Sequence, residues 1–294
     1  MGVMSSLERS MARSQRAVEG EESESDMAET EATMRFFADS GAPEPRRLTP
    51  LEQAQELVYD AREAARPEQR VKLAREALAI SADCADAYVV LAEDAAQSTE
   101  EVCEYSRLGV AAGERALGKD FFEENAGDFW GLIQTRPYMR ARWSLAQSLW
   151  ALGDRAKAIE HAQDMLRLNP DDNQGVRWVL GCWLLATGRD GQVEELFARY
   201  EKRSTFALYG TTLLRFRRSG PSPEAEEALD LARGKNPHVP DYLTGRRRLP
   251  NTMPSSIVLG RESEAVHYVV DAIDAWRQTP GALQWLRDHR DPAT

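Results

Sequence analysis

Residues 139 to 170 read MRARWSLAQSLWALGDRAKAIEHAQDMLRLNP, and the same pattern returns twice further along the chain. Residues 174–205 restart it, and residues 206–237 repeat it and end on Asn236-Pro237. The three starts are 35 and 32 residues apart, which is the period of a repeat made of two helices. The sequence therefore predicts an array of stacked helix pairs.

Each copy has the internal pattern of two packed helices. In the first copy, Gly153 supplies a turn conformation that residues with a side chain disfavour, and Asp154 stands where it can cap the second helix. Pro170 then ends the unit. Apolar residues at helical spacing predict the buried faces: Trp143, Leu145, Ala146, Leu149, Ala158, Ile159, Ala162, Met165 and Leu166, then Trp178, Leu180, Leu184, Val193 and Phe197, then Leu213, Phe216, Ala225, Leu229 and Ala232.

Other parts of the chain flank these copies. Residues 51–84 and 85–118 form two blocks of 34 residues that predict two earlier helix pairs. Residues 119–136 interrupt the period and are rich in aromatic side chains, which are usually buried. We expect this insertion to pack across the groove or against the next repeat, and a partner-binding hot spot is the alternative.

The two ends of the chain have their own patterns. Residues 238–260 contain three prolines and the run Arg246-Arg247-Arg248, which favour an extended loop. Residues 262–278 and 283–286 predict two helices that cap the array. Residues 1–49 are polar, and six acids among residues 21–31 predict a disordered tail.

These patterns together predict an all-α fold, a right-handed superhelical solenoid of tetratricopeptide-like helix pairs with a C-terminal helical cap. The predicted domains are a disordered acidic tail and linker (1–49), the repeat array (50–237, with the insertion 119–136), and a basic proline-containing loop with the helical cap (238–294).

Composition excludes several classes of function. A net charge of −11 argues against general nucleic-acid binding, which depends on clustered positive charge. The three cysteines are far apart and in no Cys-x-x-Cys spacing, which is typical of reduced thiols in the cytoplasm. No apolar run is long enough for a membrane span. Gly2 with Ser6 matches an N-myristoylation pattern, but a solvated tail is the preferred interpretation.

Four motifs carry a resemblance to a known family: TRPYMRAR (135–142), LNPDDNQGVR (168–177), NPHVPDYL (236–243) and SEAVHYVVDAIDAWRQTPGALQWL (263–286). The repeats resemble tetratricopeptide repeats in general. Residues 121–287 resemble the soluble part of the suppression-of-tumorigenicity 7 family. Members of that family in animals are described as membrane proteins. The sequence of this chain predicts no membrane span, so that location does not carry over to it. The family offers no agreed enzymatic activity, so the resemblance implies a scaffold without naming its ligand.

The resemblance also implies which residues face a ligand. In tetratricopeptide arrays, the first helix of each pair lines a concave groove that takes peptides. The corresponding positions are Arg140, Trp143, Gln147 and Trp150, then Gly175, Trp178, Cys182 and Leu185. The resemblance would place the basic and asparagine residues of a carboxylate clamp at these positions. This chain has Trp, Gln and Cys there instead, so we expect the groove to suit an apolar peptide or the chain's own residues 119–136. The alternative is that the tryptophans are core residues.

For the other polar clusters, a structural role is preferred over a chemical one. His161 with Asp164 is interpreted as a surface polar pair, and Asp171, Asp172 and Asn173 as a cap at a helix start. The sequence contains no phosphate-loop or nucleophile-elbow motif. We therefore predict no catalytic, cofactor or metal-binding residues.

Arginines form the one basic concentration in this acidic chain: Arg215, Arg217, Arg218, Arg246, Arg247 and Arg248. A charge run is usually a solvated face. The alternative hypothesis is that these arginines bind an acidic peptide, for example the chain's own residues 21–31. Arg217 is accordingly counted among the candidate groove residues.

The predicted function is a non-enzymatic scaffold or adaptor that binds a protein or peptide, in the cytoplasm and without nucleic acid. The runner-up is an enzyme or regulatory subunit with its site at residues 119–136, which two facing titratable side chains under the insertion would favour. A third hypothesis is a homo-oligomer assembled through the apolar cap around Trp276 and Trp285.

Overall fold

The computed structural model describes residues 47–200 and 203–289, and these residues contain helices and no strand. They form two compact units that divide after Gly153. The predicted all-α class is confirmed. No helix in the described part of the chain is long and apolar enough to cross a membrane. The predictions made for residues 1–46, including tail disorder and the Gly2 pattern, lie outside the described residues.

The first unit consists of consecutive packed helices. Helix α1 packs against α2, α3 against α4, and α6 against both α3 and α4. At the start of α1, the Thr49 hydroxyl accepts a hydrogen bond from the Glu52 amide while the Glu52 carboxylate accepts one from the Thr49 amide, so two free helix-end donors are satisfied. The elements are α1 (Pro50–Glu63), α2 (Pro67–Ile80), α3 (Ala85–Asp94), α4 (Thr99–Leu117), α5 (Lys119–Glu124), a 3-10 turn (Ile133–Thr135) and α6 (Arg136–Ala151).

The insertion contributes to the core of this unit. Phe129 is fully buried, and its ring lies 5.1 Å from that of Phe122 and 6.2 Å from that of Tyr138 on α6. Thr135 is also buried and donates a hydrogen bond to the Leu132 carbonyl oxygen at 2.7 Å. This is the packing against the following helix that the density of aromatic residues predicts.

The second unit contains the second helix of the first copy and the next two copies of the repeat. Asp154, Ser204 and Ser222 each accept a hydrogen bond from the amide three residues later and so cap α7, α10 and α11. The elements are α7 (Arg155–Leu168), α8 (Val176–Ala186), α9 (Asp190–Arg199), α10 (Thr205–Ser219), α11 (Pro223–Lys235), α12 (Val239–Leu243), α13 (Glu262–Gln278) and α14 (Ala282–Asp288).

Small residues let the helices of this unit approach closely. A Cβ atom on Gly210 would lie 2.7 Å from the ring of Phe197, and one on Gly181 would lie 3.0 Å from the same ring. Phe197 therefore fills the space that two glycines leave open. Most of the predicted apolar positions on α7 to α11 are buried, including Ile159, Met165, Leu180, Val193, Leu213, Leu229 and Ala232.

The C-terminal helices do more than cap an end. Helix α13 packs along both α8 and α10. Tyr268 on α13 is buried between Phe206 and Tyr209 of α10, at ring distances of 5.2 and 5.5 Å, and its hydroxyl accepts a hydrogen bond from Trp276 at 2.8 Å. The short helix α12 lies where the sequence predicted only loop, because Val239, Tyr242 and Leu243 are buried.

Candidate functional site

A fully buried carboxylate ties three helices of the first unit together. Asp86 on α3 accepts hydrogen bonds from Arg140 Nε at 2.8 Å and Arg140 Nη2 at 2.6 Å, in the bidentate geometry that suits this pair. Gln55 and Arg62 on α1 donate to the same carboxylate at 3.0 and 3.4 Å. One side chain of α3 thus holds α1 and α6.

The charge of this cluster is set by competing effects. Burial alone would raise the pKa of Asp86, but the guanidinium groups of Arg140 and Arg62 and the hydrogen bonds from Arg140 and Gln55 more than offset it. The resulting pKa lies well below the ordinary value of a carboxyl group, so Asp86 is ionised at neutral pH. The sequence analysis missed this cluster. An aspartate on an otherwise apolar helix face (ADAYVVLA, 85–92) is the signal that could have revealed it.

A pocket opens beside the Asp86 cluster. Its volume is about 250 Å³, enough for one or two apolar side chains. Gln55, whose amide donates to Asp86, forms part of its wall and connects the two features. Glu52, Asp83 and Gln134 supply further polar groups, and the apolar walls are formed by Leu51, Tyr59, Ala85, Ala116, Leu117, Ile133, Pro137 and Tyr138.

Close helix packing shapes the far wall of this pocket. A Cβ atom on Gly113 of α4 would lie 2.8 Å from the Cβ of Tyr138, so glycine is what allows α4 to meet α6 here. The other face of Tyr138 packs on Phe122 and Phe129 of the insertion. The insertion therefore supports the pocket from behind.

The predicted groove residues on α6 have different environments. Arg140 is largely buried and paired with Asp86, as described above. Trp143 and Trp150 are half-buried, and Gln147 is exposed. The four residues recur at helical spacing on one face of α6. Whether the two tryptophans contact a ligand stays a prediction.

In the second unit, the structure corrects part of the predicted groove. Cys182 is 2% exposed and Leu185 1%, so neither offers a surface to a ligand. Burial raises the pKa of the Cys182 thiol well above its ordinary value, which leaves it protonated and unreactive. Trp178 is half-buried and stacks on Phe206 at 5.7 Å.

Arg217 also turns inward. It donates hydrogen bonds to Asp190, to the Thr279 hydroxyl, and to the Leu185 and Ala275 carbonyl oxygens, at 2.6, 2.8, 2.9 and 3.3 Å. The physical reason for both corrections is α13, which covers the faces of α8 and α10 that the sequence analysis assigned to a groove.

Two further predictions concern the cap and a helix start. Trp276 and Trp285 are 0% and 5% exposed within the second unit, so these two side chains are not themselves a contact surface, and an oligomer formed through the cap stays a prediction. Asp172 is the helix cap that its position predicts. Its carboxylate accepts from the Val176 and Arg177 amides at 2.7 and 2.9 Å at the start of α8.

Groups that could hold a metal ion or carry out acid–base chemistry were sought in the described residues. No cluster of three or more His, Cys, Asp or Glu side chains with metal-binding geometry occurs there. Within the insertion, five titratable side chains are exposed, namely Lys119, Asp120, Glu123, Glu124 and Asp128. Arg136 is buried and donates a hydrogen bond to the Trp130 carbonyl oxygen at 3.1 Å.

Comparison with known proteins gives a consistent result. The model of the ST7 protein family matches residues 49–128, a region that ends before all four of the motifs quoted above. The Caenorhabditis briggsae protein ST7 homolog is 30% identical over 267 residues, covering 74% of this chain and 47% of that protein. The Drosophila pseudoobscura homolog is 28% identical, covering 79% and 47%. The chicken suppressor of tumorigenicity 7 protein-like sequence is 28% identical, covering 75% and 44%.

The chain thus spans just under half the length of these curated relatives. Among solved structures, the crystal structure of YrrB, titled a TPR protein with an unusual peptide-binding site, aligns with a TM-score of 0.41 and 18% identity. That alignment covers 71% of this chain and 92% of YrrB. The described chain is an all-helical protein that is similar to proteins of the ST7 family over about three quarters of its length, as the resemblance predicts.

Proposed function

We propose that this protein is a non-enzymatic scaffold that binds a peptide segment of a partner through the pocket of the first unit. The single observation that carries the proposal is an apolar pocket of about 250 Å³ whose walls are held in place. Pre-formed apolar pockets with a few fixed polar groups are the usual form of a recognition site.

The lining of the pocket defines the class of ligand. Leu51, Leu117 and Ile133 offer aliphatic surface, and Tyr59 and Tyr138 offer aromatic surface, all suited to a large apolar anchor. The charged groups in the lining are the carboxylates of Glu52 and Asp83, and Asp83 pairs with Arg115 at 2.7 Å. A peptide that presents a large apolar anchor fits this chemistry.

The alternative of an enzyme centred on residues 119–136 has less support. The buried side chains of the insertion are Phe129, Thr135, whose hydroxyl is hydrogen-bonded to the backbone, and Arg136, which donates to the Trp130 carbonyl oxygen. We infer that the insertion supports the pocket and forms part of its wall through Ile133 and Gln134.

A pocket-filling variant tests the proposal. Ala116 lines the pocket but is exposed, so Ala116→Trp fills the space without removing core contacts. Peptides would be selected from a random displayed library against the full chain, and their affinities measured by fluorescence anisotropy. We expect the variant to bind at least roughly tenfold more weakly, the scale of a blocked anchor.

Ala79→Trp is the matched control, because Ala79 is an exposed helical alanine of the same unit and lies away from the pocket. It is expected to bind like the parent. Equal affinity of all three proteins for the selected peptides would exclude this pocket as the binding site. Peptides that lack an apolar residue would contradict the assigned chemistry.

A further inference from the structure

The segment between α12 and α13 concentrates exposed apolar side chains. Residues 245–261, here called the basic loop, read GRRRLPNTMPSSIVLGR. Ten large apolar side chains are exposed among the described residues, and five of them lie in this loop of 17 residues: Leu249, Met253, Ile257, Val258 and Leu259. Val258 and Leu259 are 53% and 64% exposed. So dense an apolar surface indicates an interaction site.

The loop is also strongly positive. It contains four arginines and no acidic residue, in a chain whose net charge is −11. Arg246 and Arg247 pair with Asp241 and Glu262 beside the loop, at 3.5 and 2.5 Å. Among the described residues, the remaining two, Arg248 and Arg261, have no ion-pair partner. Their charges are available to an anionic surface.

Both ends of the loop are anchored by polar contacts. At its C-terminal end, Glu264 is buried and accepts hydrogen bonds from the Gly260 amide at 2.7 Å and from Asn236 Nδ2 at 3.1 Å. Gly260 adopts a φ of +71° close to a backbone oxygen of α11, a position suited to glycine. His267 contacts the Pro254 carbonyl oxygen at 3.1 Å. The apolar side chains are therefore exposed on an anchored loop.

We propose that the basic loop binds the surface of anionic lipid membranes by inserting its aliphatic side chains among lipids while its arginines contact the headgroups. Each arginine near an anionic leaflet contributes on the order of 1 kcal/mol, which is about a fivefold change in binding. Aliphatic side chains supply the apolar part of interfacial binding. Pro250 and Pro254 have no amide hydrogen, which lowers the cost of bringing loop backbone into this interface.

A nucleic acid or an acidic protein is less well matched to this surface. Binding to single-stranded nucleic acid relies on aromatic side chains that stack on bases, and the loop has none. An acidic peptide, including residues 21–31 of this chain, would satisfy the arginines but leave the aliphatic side chains without a partner. A lipid surface accounts for both features.

Vesicle sedimentation of the full chain tests the proposal. We expect binding to phosphatidylcholine vesicles that contain phosphatidylserine, weakening as salt is added, and little binding to phosphatidylcholine alone. The double variant Arg248→Gln/Arg261→Gln is expected to lower the partition coefficient by about 25-fold, from roughly fivefold per arginine. Val258→Ser/Leu259→Ser is expected to lower it by roughly tenfold.

Matched controls separate the loop from general surface effects. Leu231→Ser/Val270→Ser removes two apolar side chains of similar exposure, 58% and 44%, in the same unit. Arg75→Gln/Arg287→Gln removes two exposed arginines elsewhere. Both controls are expected to bind like the parent, with unchanged circular dichroism melting curves in all variants. The proposal is overturned by absence of binding to anionic vesicles, by equal binding to neutral vesicles, or by loop variants that bind as well as the controls.

Discussion

The two units of this chain are built from the same kind of helix pair, but they differ in what lies against their first helices. In the first unit, α1, α3 and α6 are joined by Asp86, and a pocket lies open between α1, α4 and residues 133–138. In the second unit, α13 lies along α8 and α10, where Cys182 and Leu185 are buried. A helix from later in the chain thus covers first helices of the second unit, while the first unit keeps an open pocket.

The largest expected effect concerns the charge cluster of the first unit. Asp86→Asn leaves Arg62 and Arg140 without the carboxylate between them, and removing one partner of a buried ion pair costs about 3–5 kcal/mol. We expect the free energy of unfolding in urea to fall by this amount. Glu104→Gln, which breaks the exposed Glu104–Arg107 pair of the same unit, is the control and should cost no more than about 1 kcal/mol. Similar losses in the two variants would show that Asp86 does not hold α1 and α6.

A second prediction addresses the cover on the other unit. Arg217→Leu removes the hydrogen bonds to Thr279 and the Ala275 carbonyl oxygen, which join α10 to α13. We expect a loss of about 2–3 kcal/mol, because four hydrogen bonds of a half-buried guanidinium are lost, one of them to the Asp190 carboxylate. Faster amide hydrogen exchange in α13 would report the loosening.

Arg218→Leu is the control, since Arg218 is exposed and pairs only with Glu194 among the described residues. Unchanged exchange in α13 of the Arg217 variant would mean that the aromatic packing alone keeps this face covered.

The smallest effect is a pH dependence of the second unit. Burial raises the pKa of Asp271 on α13 to about 7, whereas an unfolded aspartate titrates near 3.9. The unfolded chain therefore loses this proton at a lower pH than the folded chain, and stability falls as the pH rises from about 4 to about 7. A pKa difference of about 3 corresponds to roughly 4 kcal/mol for a fully buried group. Because Asp271 is only half-buried, solvent screening reduces this value. We expect Asp271→Asn to match the parent near pH 4 and to exceed it by roughly 1–3 kcal/mol at pH 8.

The comparison for this prediction is Asp274→Asn, which changes an exposed aspartate on the same helix. Thermal unfolding of the three proteins at several pH values measures the difference. If the difference in stability between Asp271→Asn and the parent does not grow with pH, the Asp271 carboxyl group is already ionised at acid pH.

The fold was predictable because its signals are local. Gly153 with Asp154, and the apolar spacing from Ala158 to Leu166, identify helices by turn and period alone. Helix α13 was also predicted at its observed bounds. Its position against α8 was not predicted, because nothing local to Cys182 or Arg217 shows that a helix beginning at Glu262 packs over them.

The site was less predictable for the same reason. The Asp86 cluster joins side chains up to 54 residues apart, so periodicity within one helix cannot reveal it. Gln55 looks like an ordinary polar position in the sequence, and Asp86, although unusual on an apolar helix face, does not by itself identify its partners. The pocket likewise needs α1, α4 and residues 133–138 to converge, and only the folded chain brings them together.

The central claim is that the first unit binds ligand while the second unit's face is already covered. Hydrogen–deuterium exchange of the full chain, with and without a saturating selected peptide, tests it most directly. We predict slower exchange at residues 51–59 and 133–138, with α8 and α10 unchanged. Slower exchange in α8 and α10, with residues 51–59 unaffected, would contradict the claim. It would show that the peptide binds the second unit.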